Sequence, residues 1–138
     1  MKTKAVSLYV DGAARGNPGP AGAGIVVLDE DGKKIRELYK YLGETTNNIA
    51  EYHALLYGLQ EALILRADSV VVHLDSELIS RQLKGEYRVK NEELKRLFEQ
   101  ALNMLSGFKQ YTIKHIDREK NKEADRLANK AINLSALA

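Results

Sequence analysis

The chain has 138 residues, of which 44% are hydrophobic and 29% are charged, values typical of one globular domain with one hydrophobic core. Because it contains no cysteine, a disulfide framework, a cysteine nucleophile and a zinc site made of thiolates are all excluded. The formal net charge of +2 is too small to indicate a nucleic-acid-binding protein by itself. The longest apolar runs are shorter than a membrane span and no signal-peptide pattern precedes them, so we expect a cytoplasmic protein without a membrane partner.

The first third of the chain predicts three strands in a meander. Residues 5–11 alternate between two faces, which is the period of a strand, and we expect this strand to end in Asp11. A loop rich in Gly, Asn and Pro follows, within GAARGNPGPAGAG. Residues 22–43 then read as two strands joined at Asp31-Gly32, since Asp-Gly between apolar runs is a strong hairpin signal.

The remaining elements alternate between helices and strands. Over residues 45–67 the apolar period changes to that of a helix, which Thr46, Asn47 or Asn48 can cap. The later elements are a strand (69–75), helices (76–85 and 91–107), a strand (109–116) and a closing helix from Asn121, its expected cap. The order β-β-β-α-β-α-α-β-α predicts an α/β fold: a five-stranded mixed sheet, with an antiparallel three-strand meander and parallel crossover strands, flanked by helices. With no linker or repeat, we expect a single domain over residues 1–138.

Four acids are predicted to converge at one edge of this sheet. Asp11 and Asp75 end the first and fourth strands, and if these strands are parallel neighbours, both acids lie on the edge where open α/β sheets bind ligands. Glu51 lies one turn into the first long helix, on the flank that packs on the sheet, and Asp125 lies one turn into the last helix. Each acid alone also fits an ordinary role as a turn, capping or first-turn residue.

Together, the four acids would repel one another unless a cation lay among them, and no buried Lys or Arg is an evident partner. Sites built only from oxygen ligands suit Mg²⁺ or Mn²⁺. Two such ions about 4 Å apart form the usual clamp for in-line displacement at a phosphodiester, where one activates water and the other stabilises the leaving oxygen. The acids therefore indicate metal-dependent phosphodiester chemistry.

Four segments, in their order and spacing, resemble type 1 ribonuclease H, and they extend over nearly the whole chain: YVDGAARGNPGPAGAG, TTNNIAEYHAL, VVVHLDSELI and EADRLANKA. The resemblance implies a ribonuclease H-like fold and endonucleolytic cleavage of the RNA strand of an RNA/DNA hybrid, leaving 3'-hydroxyl and 5'-phosphate ends. It also implies that Asp11, Glu51, Asp75 and Asp125 hold two Mg²⁺ or Mn²⁺ ions in the substrate complex.

The same resemblance implies a set of residues that contact the two strands of the hybrid: Gly12, Asn17, Thr46, Asn47 and Asn48. Donors and acceptors of the first loop can read the 2'-hydroxyl in a wide, shallow minor groove. Backbone amides and short polar side chains at a helix start suit a phosphate of the other strand. Simple helix capping is the ordinary alternative for residues 46–48.

The chain departs from better-known family members in its middle region. Those members carry a basic protruding segment with a tryptophan, whereas here LKGEYRVKNEEL connects two helices directly and the chain has no Trp. Basic residues do crowd positions 81–96 and 109–130, although solvated helix faces explain them equally well. We therefore expect hybrid binding to be weaker, or to use Arg88 and Lys90.

A second departure concerns the glycine-flanked mobile histidine that many members have before the last helix. Here the loop is the short DREKN, so Arg118 or Glu119 is left to take that role near the metals. We favour Arg118, because a cation can hold the scissile phosphate. His115 is expected to lie on the last strand, and His53 on the helix surface or in packing.

Three alternatives remain open at this stage. A nucleotide-binding loop is weakly supported, because the Gly-rich segment matches neither the P-loop nor the dinucleotide pattern. The same fold acting on double-stranded RNA or RNA-DNA junctions is the stronger competitor, given the short basic segment. A non-cleaving nucleic-acid-binding module is disfavoured by the presence of all four acids. The expected partner is an RNA/DNA hybrid, with double-stranded RNA as a further candidate, and no feature indicates an obligate protein partner.

Overall fold

The computed structural model describes residues 4–137, within which it contains five strands and four α-helices. In chain order they are β1 (Ala5–Ala14), β2 (Gly19–Leu28), β3 (Lys34–Thr45), α1 (Asn47–Ile64), β4 (Ser69–Leu74), α2 (Glu77–Leu83), α3 (Glu92–Leu105), β5 (Gln110–His115) and α4 (Lys122–Ser135). A 3₁₀ turn, Arg118–Asn121, connects β5 to α4. The predicted order of elements is confirmed.

The strands form one sheet in the order β3-β2-β1-β4-β5. The pairs β1–β2 and β2–β3 are antiparallel, and β1–β4 and β4–β5 are parallel. This arrangement confirms the predicted five-stranded mixed sheet, with its meander on one side and its crossover strands on the other.

The predicted end of the first strand is wrong. β1 continues past Asp11 to Ala14, which pairs with Ala21 of β2 in the antiparallel ladder. Small residues on both sides of the hairpin allow this pairing, so the turn shrinks to residues 15–18. The parallel ladder with β4, in contrast, stops at Tyr9 and His73. Asp11 therefore lies just past the point where β1 and β4 separate.

Helices cover both faces of the sheet. On one face, the backbone of α1 approaches closely at Gly58, where a Cβ would meet the side chains of Leu8, Val10 and Ile25. All three side chains are fully buried, and burial of each contributes about 1.5–3 kcal/mol. Side chains alternate along a strand, so Gly24 of β2 faces the other way, where it lies against α4.

The helix ends largely follow the predicted caps. The Thr46 hydroxyl accepts a hydrogen bond from the Ile49 amide at 3.3 Å, and the Asn91 side chain accepts one from the Leu94 amide at 2.9 Å. α1 ends at Ile64, three residues earlier than predicted, before Arg66 with its left-handed φ of 58°. Residues 84–91 alone connect α2 to α3. Among the described residues, no helix is both long and apolar enough to cross a membrane.

Candidate active site

Three of the four predicted acids meet at the sheet edge. Asp11 comes from β1, Glu51 from the first turn of α1, and Asp75 directly follows β4. One carboxylate oxygen of each lies within 4.8 Å of the others. Asp11 and Glu51 are only 5% and 8% exposed, and Asp75 is half-buried. The convergence predicted from strand ends and helical period is therefore present for these three side chains.

Gly12 determines how closely α1 approaches β1. A Cβ at this position would overlap the Ala50 carbonyl and the Glu51 amide, so only glycine allows the first turn of α1 to lie directly on the strand. The Gly12 amide also lowers the pKa of the Glu51 carboxyl, which partly offsets the effect of burial. Gly12 thus has a structural reason to be glycine that is independent of its predicted contact with a nucleic acid.

The carboxyl pair Asp11 and Glu51 is strongly perturbed. Burial raises the pKa of Asp11 well above its ordinary range, and the negative charges of Glu51 and Asp75 raise it further. Burial also raises the pKa of Glu51, although a hydrogen bond from Asp11 partly offsets this effect. The two carboxyl groups share a hydrogen bond, so the pair retains a proton at a pH where free carboxyl groups are already ionised.

The cluster is chemically suited to a divalent cation. Glu51 Oε2 is buried and has no hydrogen-bond partner, a situation that costs about 1–3 kcal/mol. Among the described residues, no Lys or Arg forms an ion pair with Asp11, Glu51 or Asp75. Carboxylate oxygens alone form the donor set, which is the chemistry that Mg²⁺ and Mn²⁺ prefer. The residues present therefore fit the metals that the sequence predicts.

Asp125 lies beside this cluster but outside the group of three. It lines the same open cleft, and its side chain interacts with Asp11, contributing to the raised pKa of that residue. The position of Asp125 depends on how α4 packs: a Cβ on Gly24 would overlap the Ala124 carbonyl, so the helix lies directly against β2. α4 therefore packs closely on the sheet beside Asp125.

Three residues that form hydrogen bonds around Asp125 and Asp75 were not predicted from the sequence. The Asn129 side chain donates to the Asp125 carbonyl at 3.0 Å, and Arg15 donates to Asn129 Oδ1 at 3.2 Å. Asn121, expected only to cap α4, donates instead to Asp75 Oδ2 at 3.1 Å. Asp125 and Asn129 are four residues apart in α4, a spacing that places them on one helix face, and Asn121 precedes Asp125 by four residues.

The turn between β1 and β2 is attached to the start of α1 by two asparagines. The Asn47 amide donates to Asn17 Oδ1 at 3.1 Å, and Asn47 Oδ1 accepts from the Ala14 amide at 2.9 Å. Thr46 is the helix cap described above. The Asn48 side chain forms no hydrogen bond with any described residue. The predicted substrate-binding residues thus adjoin one another, and Gly12 and Asn47 line the cleft that contains the acids.

Arg118 opens the 3₁₀ turn and is exposed, and it lines the cleft together with all four acids. Glu119 lies in an adjoining depression with Arg118 and Asp125. His115 is the last residue of β5, as predicted, and its side chain is exposed. His53 is half-buried on α1, and burial lowers its pKa, which fits the predicted packing role.

A mixed sheet of this order, with carboxylates gathered where β1 and β4 separate, defines the ribonuclease H-like class of nucleic-acid enzymes. A family model described as "Reverse transcriptase-like" matches residues 9–131. The chain belongs to the type 1 ribonuclease H family, in a compact form that lacks the basic protrusion.

Relatives and solved structures support this placement. RNase H1 of Halobacterium salinarum is 40% identical with a TM-score of 0.91, and the match covers 94% of this chain and 98% of that structure. LC11-RNase H1, solved in complex with an RNA/DNA hybrid, is 45% identical with a TM-score of 0.89, over 96% of this chain and 99% of that one. "Bifunctional protein Rv2228c" of Mycobacterium tuberculosis is 40% identical over 95% of this chain.

The first curated relatives are longer than the part that this chain matches. The match spans 36% of the mycobacterial protein and 64% of the curated "Ribonuclease HI" of Halobacterium salinarum, which is 40% identical over 93% of this chain.

Proposed function

We propose that this chain is a metal-dependent endoribonuclease that hydrolyses the RNA strand of RNA/DNA hybrids, leaving 5'-phosphate and 3'-hydroxyl ends. The observation that carries the proposal is the buried carboxylate cluster, with an unpartnered Glu51 oxygen, at the floor of an open cleft. The hybrid complex of LC11-RNase H1, at 45% identity, supports the choice of substrate.

Asp11, Glu51, Asp75 and Asp125 would hold two Mg²⁺ or Mn²⁺ ions in the substrate complex. When bound, such a pair supplies an activated water and stabilises the leaving oxygen of an in-line displacement. The role of the chain is to fix the carboxylates and to give up the proton that the Asp11–Glu51 pair retains in the metal-free protein. Metal binding is therefore coupled to proton release.

Arg118 binds the scissile phosphate in this proposal. Its guanidinium is exposed at the rim of the same cleft as the four acids, and a guanidinium can donate two parallel hydrogen bonds to phosphate oxygens. This places a permanent positive charge beside the reacting group in the position that other family members give to a mobile histidine.

Substrate recognition is assigned to the turn and helix start. The backbone of Gly12 and the Asn17 side chain contact one strand, and residues Thr46, Asn47 and Asn48 contact the other. Asn48 supports this assignment best, because its side chain has no hydrogen-bond partner among the described residues. A cytoplasmic location, action as a single domain and independence of a protein partner remain predictions from composition.

The test is incubation of labelled RNA/DNA hybrid, double-stranded RNA, single-stranded RNA and double-stranded DNA with Mg²⁺ or Mn²⁺. We expect cleavage of the RNA strand of the hybrid, with 5'-phosphate ends, and none by Asp75→Asn. An inert wild type overturns the proposal, and an equally active Asp75→Asn overturns the assigned site. Hybrid binding without turnover would identify a binding module instead.

Double-stranded RNA and RNA-DNA junctions are the second candidate substrates. The observation that favours them is the short connection 84–91 between α2 and α3, which leaves less protein to select a DNA strand. Cleavage of double-stranded RNA at a rate within about tenfold of the hybrid rate would establish this broader specificity.

A further inference from the structure

Asn121 occupies an unusual place for a polar side chain. It is the last residue of the 3₁₀ turn and is only 1% exposed, yet its side chain forms no capping hydrogen bond with α4. Its Nδ2 instead donates to the Val10 carbonyl at 2.9 Å and to Asp75 Oδ2 at 3.1 Å. One buried amide group therefore contacts the residue before Asp11 and the carboxylate of Asp75 directly.

These contacts connect three of the elements that carry acids. Val10 immediately precedes Asp11 in β1, Asp75 follows β4, and Asn121 is four residues before Asp125 in the segment that leads into α4. β1 and β4 are no longer paired at this level, because their ladder stops at Tyr9 and His73. The Asn121 amide thus connects β1 to the end of β4 at the level where the two strands no longer pair.

The chemistry of an amide suits this place. It offers N–H donors to a carboxylate and a carbonyl without adding charge, whereas Lys or Arg would neutralise the acids and Asp would add a fifth negative group. The arrangement has a cost, since Asn121 Oδ1 is buried with no hydrogen-bond partner.

We infer that Asn121 is a positioning residue for metal binding: it fixes the Asp75 carboxylate against the end of β1 so that the acids form one site for a divalent cation. Asn121 is almost fully buried and does not line the cleft that contains the acids, so it acts through Asp75 and not through contact with a substrate. This inference rests on the proposed metal-dependent function.

The test measures Mn²⁺ binding in the absence of substrate, by isothermal titration calorimetry, together with thermal unfolding in EDTA. The variants are Asn121→Leu, which keeps the approximate shape without a donor, and Asn121→Ser, which is too short to reach Asp75. The control is Asn133→Ala, which removes an exposed asparagine from α4. We expect both Asn121 variants to bind Mn²⁺ about 10–100-fold more weakly and the control to bind it normally.

Kinetics separate positioning from a general structural role. With either Asn121 variant, kcat at low Mn²⁺ falls and recovers as the metal concentration rises, while KM for the hybrid stays within twofold. In a double-mutant cycle that combines an Asn121 variant with Asp75→Asn, we expect the loss of Mn²⁺ affinity in the double mutant to be much smaller than the sum of the two single losses. Additive effects, or unchanged Mn²⁺ affinity with only a lower Tm, would overturn the inference.

The outcomes also distinguish this inference from the proposed function. If wild-type protein neither binds Mn²⁺ nor cleaves the hybrid, the proposed function fails. If wild type does both and the Asn121 variants match its Mn²⁺ affinity, the function stands and the positioning role of Asn121 is rejected.

Discussion

Gly12 of β1 and Glu51 of α1 touch through their backbones: the Glu51 amide lies where a side chain of residue 12 would begin. This contact determines the distance between the strand that carries Asp11 and the helix that carries Glu51. The carboxyl pair of the site is thus positioned by the absence of one methyl group.

Gly12→Ala is therefore expected to move α1 away from β1. The overlap should lower the free energy of unfolding by about 1–3 kcal/mol. Since a displacement of about 1 Å in a catalytic group costs roughly 100-fold in rate, hybrid cleavage should fall by at least that factor. Thermal unfolding and initial cleavage rates measure the two effects.

Gly43→Ala is the matched control, because a Cβ there meets no atom within 4 Å, although its φ is 76°. It should lose about 1 kcal/mol through backbone strain and keep the wild-type rate. A Gly12→Ala protein as active as Gly43→Ala would show that α1 can approach β1 in another way.

The metal-free protein should lose stability as pH rises. Asp11 has a raised pKa in the folded state, so above its ordinary value of 3.8 the folded protein keeps a proton that the unfolded chain releases. The contribution of this group to stability is full below that pH and is lost as pH rises towards the folded pKa. In EDTA, Asp11→Asn should unfold at a Tm about 3 °C or more above wild type at pH 8, with a smaller gap at pH 5.

Adding Mn²⁺ at pH 8 should reverse that order, because the wild type gains stability from the ion and Asp11→Asn gains much less. Asp31→Asn, at an exposed carboxyl of the β2–β3 hairpin, is the control and should follow the wild type throughout. A wild-type Tm in EDTA that rises from pH 5 to pH 8 relative to Asp11→Asn would contradict the assignment of the proton to Asp11.

Asn47 and Asn48 should behave differently although they are adjacent. Asn47→Ala removes the hydrogen bond to the Ala14 amide, so it should lower stability by about 1 kcal/mol and loosen the turn. Asn48→Ala removes a side chain with no hydrogen bond to the described residues, so its Tm should be unchanged. Its KM for the hybrid should nevertheless rise about tenfold, as expected for one lost phosphate contact.

Thermal unfolding and steady-state kinetics on both variants test this division. Asn103→Ala, at an exposed position of α3, is the control for removal of an asparagine side chain. An Asn48→Ala protein with wild-type KM would remove Asn48 from the interface.

Arg118→Ala should lower kcat about 100-fold without changing Mn²⁺ affinity, because the guanidinium contacts the phosphate and not the ions. Arg118→Lys should recover part of the rate, since it keeps the charge and loses the bidentate geometry. Lys120→Ala, in the same 3₁₀ turn, is the control. If Arg118→Ala cleaves at the wild-type rate, the phosphate-binding role is withdrawn.

The sequence contained enough information for the sheet and for most of the acid cluster. Glu51 was recognisable because the helical period places it on a buried flank, where an unpaired acid is costly, and the structure confirms that burial. The end of β1 was not recognisable, because its last residues are small and their pairing with β2 is a tertiary contact. No local pattern separates such residues from a loop.

The hydrogen-bond partners of Asn121 could not be predicted from the sequence either. Its position before a helix predicts a cap, and it does precede α4. Its hydrogen-bond partners lie 111 and 46 residues away in the chain, at Val10 and Asp75. Only the folded sheet brings them together, so local propensity could not reveal what the amide binds.

β1 and β4 diverge at the site, so the acids lie between two strands that no longer pair. On the β1 side, Asp11 remains paired with β2 in a ladder that continues to Ala14, and this pairing holds the backbone of Asp11 in place. Outside this ladder, Arg15 of the turn at residues 15–18 and Arg118 of the 3₁₀ turn line the cleft. Substitutions in the turn at residues 15–18 should therefore change the preference between hybrid and double-stranded RNA and leave the chemistry at the acids unchanged.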